Sequence, residues 1–306
     1  LVGSHAAITE VLLRQILLKG FFKICPSVMQ SVGSGKPFIH PLPQQWIKHI
    51  AGNGITTSYA KSKIFLFVLS LKRTIYGIAK FCILLSQRMN PSNPGCSYVA
   101  FLDLEQKNLP VSNHEKSYDI ISWYKKSKLK KSNIGEIWAQ AKIKKNYIKP
   151  PFLIVSQIVF PRFNHLNNYL KFFFKGIVAF IVAISGILRG KWWYGFLYPE
   201  SISLHYVNAL KRDCLAKEYF FHNSSWFYKS LWAYEIEKKG SSASIYFYST
   251  NMEIFQYNNY KRNGAFGLKI MSWNRFIVWD VQQKNYLKRF CPNAKYQIVG
   301  MINFSD

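Results

Sequence analysis

The stretch that decides the fold class is "YFFHNSSWFYKSLWAYEIEKKGSSASIYFYS", residues 219–249. An aromatic run over 219–222 gives way to small polar side chains and then to a Trp-rich amphipathic segment, 226–239, which ends at Gly240. A second aromatic and β-branched run follows over 244–249. This alternation predicts a strand, a helix and a second strand, arranged as a parallel β-α-β unit.

The same alternation continues toward the carboxyl terminus. "RFIVW" (275–279) and "YQIVG" (296–300) have strand composition, and the helical segment "DVQQKNYLKRF" (280–290) lies between them. Two earlier segments, "YVAFLDLE" (98–105) and "YDIISWY" (118–124), are also predicted as strands from their β-branched and aromatic content. The fold class predicted is α/β, with a Rossmann-like parallel sheet and flanking helices.

Composition favours a folded protein with an anionic partner. The chain has 306 residues and 49% hydrophobic content, enough for a substantial core. Its 41 Lys and Arg against 14 Asp and Glu give a net charge of +27. Such an excess favours nucleic acid, a phospholipid surface or phosphorylated substrates, although a general compositional bias explains it equally well. The five cysteines contain no C-x-x-C pair, so neither a disulfide framework nor a zinc site is indicated.

Two apolar segments interrupt the alternating pattern. Residues 64–86 are long enough to cross a membrane, but three basic residues divide them, which favours a buried or surface-lying helix. Residues 170–194 contain an uncharged core of thirteen residues between Lys175 and Arg189, followed by Trp192 and Trp193. A short apolar core beside cations and aromatics predicts a helix at the membrane interface. A helix packed within the domain, or between subunits, is the alternative.

Polar side chains follow three of the predicted strands. Ligands of open α/β sheets bind beyond the carboxyl ends of the strands, so these side chains are expected to converge on one cleft. N-capping of the following helix is the alternative for the serines, and for Asp280 capping is the first explanation and a ligand contact the second. The expected substrate-binding residues are Asn223, Ser224, Ser225, Ser249, Thr250, Asn251 and Asp280.

Two residues are candidates for acid–base chemistry. His222 ends a predicted strand beside other polar groups, and imidazole is suited to proton transfer near neutral pH. Glu235 follows Leu231 and Trp232 at helical spacing, which brings its carboxylate toward the apolar side of the helix. For Glu237, pairing with nearby lysines on the same helix is the expected role.

Several motifs resemble those of the bacterial polysaccharide biosynthesis proteins named for a PFTS motif. The similar segments are "PLPQQW", "LRGKWWYGFLYPE", "FHNSSWFYKSLWAYEIEKKGS", "IYFYSTN", "MSWNRFIVWDVQQ" and "YQIVG". The resemblance implies a glycosyltransferase-like protein of O-antigen or capsule assembly, with two domains of the GT-B kind. Residues 1–306 would form the amino-terminal, acceptor-side domain, with apolar helices inserted near 64–86 and 170–194. A donor-binding domain is expected to follow Asp306.

The function implied is transfer of a sugar to a lipid-linked saccharide acceptor at the inner face of the bacterial cell membrane. The nucleotide-sugar donor would bind the carboxyl-terminal domain, and the basic surface would meet anionic phospholipid. The residues indicate no metal. A non-catalytic, membrane-associated assembly factor is the first alternative. A nucleic-acid-binding protein is the second, but the chain has no zinc-finger spacing or RNA-recognition signature.

Overall fold

An eight-stranded sheet organises the larger part of the fold in the computed structural model of the chain. Its strand order is β3-β4-β2-β1-β5-β6-β7-β8. Seven strands pair in parallel, and β3 lies antiparallel to β4 at one edge. The predicted α/β fold with a parallel sheet is therefore confirmed. The strands are β1 (Tyr98–Leu104), β2 (Glu136–Ala141), β3 (Tyr147–Lys149), β4 (Leu153–Ser156), β5 (Glu218–His222), β6 (Ser242–Tyr246), β7 (Arg275–Val278) and β8 (Lys295–Ile298).

The chain separates into two compact units. One, the helical unit, comprises residues 1–87 and 169–206, and the other, the sheet unit, comprises 88–168 and 207–306. The helices are α1 (Tyr59–Leu85), α2 (Ile120–Lys126), α3 (Leu166–Leu188), α4 (Trp193–Ala209), α5 (Leu231–Lys238) and α6 (Val281–Lys288). The structure describes residues 48, 52, 59–87, 98–105, 109–110, 120–130, 134–141, 143, 147–149, 153–191, 193–222, 229–247 and 271–302.

Strand β1 lies near the middle of the sheet, between β2 and β5. Six of its seven residues are buried, as expected for a parallel strand covered on both faces. Phe101 of β1 stacks on Phe220 of β5, with ring centroids 4.7 Å apart. The Tyr124 ring of α2 meets the Phe101 ring edge-on, with centroids 5.5 Å apart. These aromatic contacts join the central strands to the helix that covers them.

The strand predicted over 118–124 is wrong, because the chain forms α2 there. Ile120, Ile121 and Tyr124 are buried, and that spacing follows one face of a helix. Strand β2 was not predicted, because it lies within a lysine-rich run, between Lys125 and Lys149. Alternate residues of β2 are buried, so its apolar side faces the core even though lysines flank it in sequence.

A buried polar network crosses four strands on the amino side of the sheet. The Glu218 carboxylate accepts a hydrogen bond from Ser244 at 2.6 Å and pairs with Arg275 at 3.0 Å. Arg275 also donates to Gln297 at 3.1 Å. Glu218 is nearly inaccessible to solvent, so its charge depends on these partners. The network therefore fixes the positions of β5, β6, β7 and β8 relative to one another.

The end of α5 is tied to the end of α4 by one lysine. Lys239, at the C-cap of α5, donates from Nζ to the carbonyl oxygens of Val207 and Asn208, each at 2.9 Å, and to that of Leu210. The last carbonyls of a helix have no partner within the helix, and a cation there also complements the helix dipole. Lys239 is thus a structural cation.

The helical unit contains α1, most of α3 and most of α4. Helix α3 runs antiparallel to both neighbours: Phe81 of α1 meets Phe172 of α3 at 5.3 Å, and Tyr169 at the start of α3 donates to the Leu85 carbonyl at 3.2 Å. Phe172 also contacts Tyr206 of α4, at 5.0 Å. Glycines also lie at contacts between these helices.

Two of these glycines leave no room for a side chain. A β-carbon at Gly176 would overlap the Phe81 ring, and one at Gly186 would overlap Tyr194. The helices therefore approach more closely than bulky side chains would allow. Helix α3 has the length and composition to cross a membrane, and it alone meets both criteria among the described residues.

Replacing Arg275 with Met is expected to lower the free energy of unfolding by about 2–3 kcal/mol, because the buried Glu218 carboxylate loses its charge partner. Urea denaturation measures this change. The double variant Arg275→Met, Glu218→Gln should recover part of the loss, because the uncompensated charge is gone. Arg289→Met, at an exposed position, is the control and should change stability by less than about 0.5 kcal/mol. Equal losses in the single and double variants would contradict a charge-based role.

Candidate functional site

The strand order reverses between β1 and β5. From β1 the chain builds outward through β2 to β4, then returns to the other side of β1 with β5 and builds outward to β8. Connections that leave two neighbouring strands toward opposite sides open a crevice at the strands' carboxyl ends. In this fold the crevice lies beyond the ends of β1 and β5. We call this side of the sheet the carboxyl edge.

His222, the predicted catalytic histidine, is the last residue of β5 and therefore lies at this crevice. Its Nε2 atom is 3.1 Å from the backbone carbonyl oxygen of Asp103, near the end of β1. The ring is half-buried and lies 6.2 Å from the ring of Tyr246, which ends β6. The predicted strand-end position is thus confirmed, and His222 bridges the two strands of the switch point.

Asp103 is a site residue that sequence reasoning missed. Its φ is 57°, and it alone among the described non-glycine residues has a positive φ. The pairing of β1 with β2 shifts register between Phe101 and Leu104, so the chain turns out of regular strand geometry there. Positive φ costs most residues free energy, and such strain concentrates at functional sites. The signal available in sequence was an aspartate inside an otherwise apolar strand.

The contact with Asp103 determines how the imidazole can act. A carbonyl oxygen only accepts hydrogen bonds, so Nε2 is the protonated nitrogen in this contact. In the neutral ring the lone pair then resides on Nδ1. A backbone carbonyl that orients an imidazole in this way sets the tautomer of the group that takes or gives a proton.

Asp280 follows β7 and lies at the same edge as His222, because the strands are parallel. It is the N-cap of α6, and its Oδ1 accepts a hydrogen bond from Gln283 N at 2.7 Å. The Gln283 side chain in turn accepts from Trp279 N at 2.9 Å. This reciprocal arrangement resembles a capping box, so capping, the first expectation for Asp280, is what the structure shows.

The two glutamates of α5 have different partners. Glu235, whose side chain is largely buried, pairs with the exposed Lys238 at 3.6 Å, an i,i+3 contact. Glu237 pairs with Lys229, whose side chain is fully buried and lies 4.4 Å from the centre of the Tyr234 ring. The expected pairing of Glu237 with a lysine of its own helix is wrong, because Glu237 pairs with Lys229, a buried residue that precedes the helix.

Helix α5 runs from the carboxyl edge, after β5, to the amino edge, before β6. Glu235 lies four residues into this helix, about 6 Å along its axis from the start. The two predicted candidates for the base therefore differ in position: His222 lies at the carboxyl edge, and Glu235 lies about one helical turn away from it along α5. Of the two, the geometry at the switch point favours His222.

The remaining predicted site residues lie outside the described part of the chain. Two further polar atoms in the described part of the sheet unit are buried: Ser230 Oγ, at the start of α5, and Trp279 Nε1, just after β7. Neither has a hydrogen-bond partner within the residues that the structure describes. The residues not described are Asn223, Ser224, Ser225, Ser249, Thr250 and Asn251.

A cavity of about 610 Å³ lies at the opposite, amino edge of β6, β7 and β8. Arg275 and Tyr296 line it, and both have structural partners there. Tyr296 donates to the Cys291 carbonyl at 2.8 Å, and burial raises the pKa of its hydroxyl well above the usual range. Arg275 and Tyr296 are thus engaged in the buried network and in packing, and the cavity lies at the edge opposite to His222.

Within the described ranges, no three His, Cys, Asp or Glu side chains group closely enough to hold a metal ion. The groups present at the carboxyl edge are instead an imidazole, a hydroxyl, an indole N–H and a carboxylate. Such a set can orient hydroxyl groups and transfer a proton.

Comparison with known proteins identifies one family. Residues 169–306 match the family model of the polysaccharide biosynthesis PFTS motif proteins. The resemblance expected from the sequence motifs is confirmed over this range, which includes most of α3, all of α4 and every strand from β5 to β8. The match implies involvement in polysaccharide biosynthesis. No curated protein and no solved structure matches the chain.

The strained backbone at Asp103 gives a stability prediction. Asp103→Gly should preserve or slightly raise the free energy of unfolding, because glycine adopts positive φ without steric cost. Asp103→Val should lower it by about 1–3 kcal/mol, since β-branched residues are strongly disfavoured there. Urea denaturation of both variants tests this, and equal stability of the two would contradict the left-handed conformation at this position.

Proposed function

We propose that the sheet unit binds the acceptor in a glycosyltransferase of polysaccharide biosynthesis and that His222 is its general base. The observation that carries this proposal is the contact between His222 Nε2 and the Asp103 carbonyl at the β1/β5 switch point. The family match supports the biological process, and the position of the imidazole supports the reaction type.

The reaction transfers a glycosyl group from a nucleotide sugar to a hydroxyl of a lipid-linked saccharide. His222 takes the proton of the acceptor hydroxyl as that oxygen attacks the anomeric carbon of the donor. The bond between the anomeric carbon and the diphosphate oxygen breaks, and the electron pair leaves with the nucleoside diphosphate. The base must be neutral before the step, and imidazole meets that requirement near neutral pH.

Two further hydrogen-bonding groups lie on the carboxyl side of the sheet unit, Ser230 Oγ at the start of α5 and Trp279 Nε1 after β7, and both are buried. The hydroxyl can donate or accept a hydrogen bond, and the indole N–H can donate one. Buried polar groups of this kind give a site its selectivity for polar ligands, because an unmatched ligand leaves them unsatisfied. Asp280 is engaged in capping and contributes negative charge at the rim.

The test replaces His222 with Gln, whose amide can still donate to the Asp103 carbonyl but cannot act as a base near neutral pH. Turnover should fall by about 10²- to 10⁴-fold, while nucleotide-sugar binding and the urea midpoint change little. Nucleoside diphosphate release from a panel of uridine and guanosine diphosphate sugars, with extracted bacterial membrane lipid as acceptor, provides the measurement.

His205→Gln is the matched control, because this half-buried histidine lies in α4, within the helical unit. It should retain turnover close to that of the unaltered protein. Near-normal turnover in a folded His222→Gln variant would exclude His222 as the base. Binding of a nucleotide sugar with no turnover by the unaltered protein would favour the non-catalytic assembly factor.

A further inference from the structure

The helical unit buries several polar side chains and exposes many apolar ones. Among its buried side chains, Ser70, Thr74 and Ser203 are almost fully inaccessible, and so is the charged residue Glu200. On its outside, many large side chains of α1 and α3 are apolar and exposed. Water-soluble bundles bury apolar side chains and expose polar ones, whereas lipid places no such demand on the outer side of a helix.

Helix α3 shows this outer side most completely. Its exposed side chains follow helical spacing, and Phe174 and Ile181 have 63% and 59% of their surface exposed. From Gly176 to Leu188 the helix has no charged residue. We call this set the outer stripe of α3: Phe174, Ile177, Val178, Ile181, Val182 and Leu188.

Helix α1 lies beside α3, and its exposed side is also largely apolar, with Lys72 as an exposed charged residue. Ile75 and Ile83 are 67% and 53% exposed, although Ile83 is only two residues from the buried contact of Phe81 with α3. The two neighbouring helices together expose a larger apolar surface than scattered single apolar residues would. A large exposed apolar surface marks a site of interaction.

The ends of α3 carry the groups that suit lipid headgroups. Lys171 and Lys175 lie toward its start, and Arg189 and Lys191 follow its end, next to Trp193. Long cationic side chains can extend along apolar surface to reach phosphates, and tryptophan prefers the boundary between hydrocarbon and water. Helix α3 has 23 residues, about 35 Å in length, against a hydrocarbon thickness of about 30 Å.

We propose that α3, with α1 beside it, inserts its outer stripe into an anionic phospholipid bilayer, so that the helical unit anchors the protein to the membrane. Three observations favour lipid over a second copy of the chain: the polar side chains buried inside the unit, the glycines at contacts between the helices, and the cations at both ends of the apolar stripe. A protein partner would account for the apolar stripe but for none of these three.

This anchor is independent of the chemistry proposed for the sheet unit. Membrane attachment brings a lipid-linked acceptor and the enzyme onto the same surface. Vesicle binding reports on α3 alone and turnover reports on His222, so either proposal can fail while the other holds.

The test is flotation of the purified protein with vesicles of phosphatidylethanolamine and phosphatidylglycerol, at low and high salt. Salt screens attraction to the headgroups but does not remove inserted apolar side chains. We expect a bound fraction that persists at high salt. The double variant Val178→Glu, Ile181→Glu should reduce vesicle affinity in high salt by on the order of a hundredfold or more, because two large apolar side chains no longer enter hydrocarbon.

The matched control is Val281→Glu, Ile298→Glu, which makes the same kind of exchange at exposed positions of the sheet unit. It should bind vesicles like the unaltered protein. An unaltered protein that does not float, or that forms an oligomer which Val178→Glu, Ile181→Glu converts to monomer, would overturn the proposal and assign the stripe to a protein interface.

A second measurement covers the case in which the double variant does not fold. Ile181→Trp keeps the stripe apolar, and its added fluorescence should be quenched by brominated phospholipid, whereas that of Val281→Trp should not. Equal quenching increments for the two variants would show that the stripe does not enter the bilayer.

Discussion

The central constraint in this structure is the position of β1, which must pair on both of its sides and be covered on both of its faces. Pairing with β2 and β5 makes β1 the point where the strand order reverses, and six buried residues make it apolar almost throughout. The crevice at its carboxyl end follows from this topology and not from any single residue. The helical segments α3 and α4 lie between β4 and β5 in the chain, at the connection that returns to the other side of β1.

The contact at this crevice links strain with chemistry. Asp103 leaves regular strand geometry where β1 ends, and its carbonyl oxygen is thereby brought to His222 Nε2. The backbone of one strand thus orients the side chain of the next. Because a carbonyl requires a donor, the contact selects the tautomer before any substrate arrives. The capped start of α6 and the buried network on the amino side hold the surrounding strands without using His222.

Sequence alone predicts the strands and helices of the carboxyl-terminal half because apolar runs there alternate with polar segments. It fails over 118–124, since a single turn or two of buried helix has the composition of a strand. It misses β2 because lysines flank the strand on both sides. His222 is found because strand ends are recognisable, whereas Asp103 is missed because a left-handed conformation depends on tertiary pairing and not on residue type.

The cations behind the net charge of +27 fall into two groups, those with protein partners and those exposed to solvent. Lys229 pairs with Glu237, Lys239 holds carbonyl oxygens at the end of α4, and Arg275 neutralises Glu218. These cations stabilise the fold and are committed to protein partners. The cations that can meet an external anion are the exposed ones, and Lys171 and Arg189 lie near the two ends of an apolar helix side. Charge beside exposed hydrocarbon side chains fits the headgroup and acyl layers of a bilayer, and a nucleic acid would match only the charge.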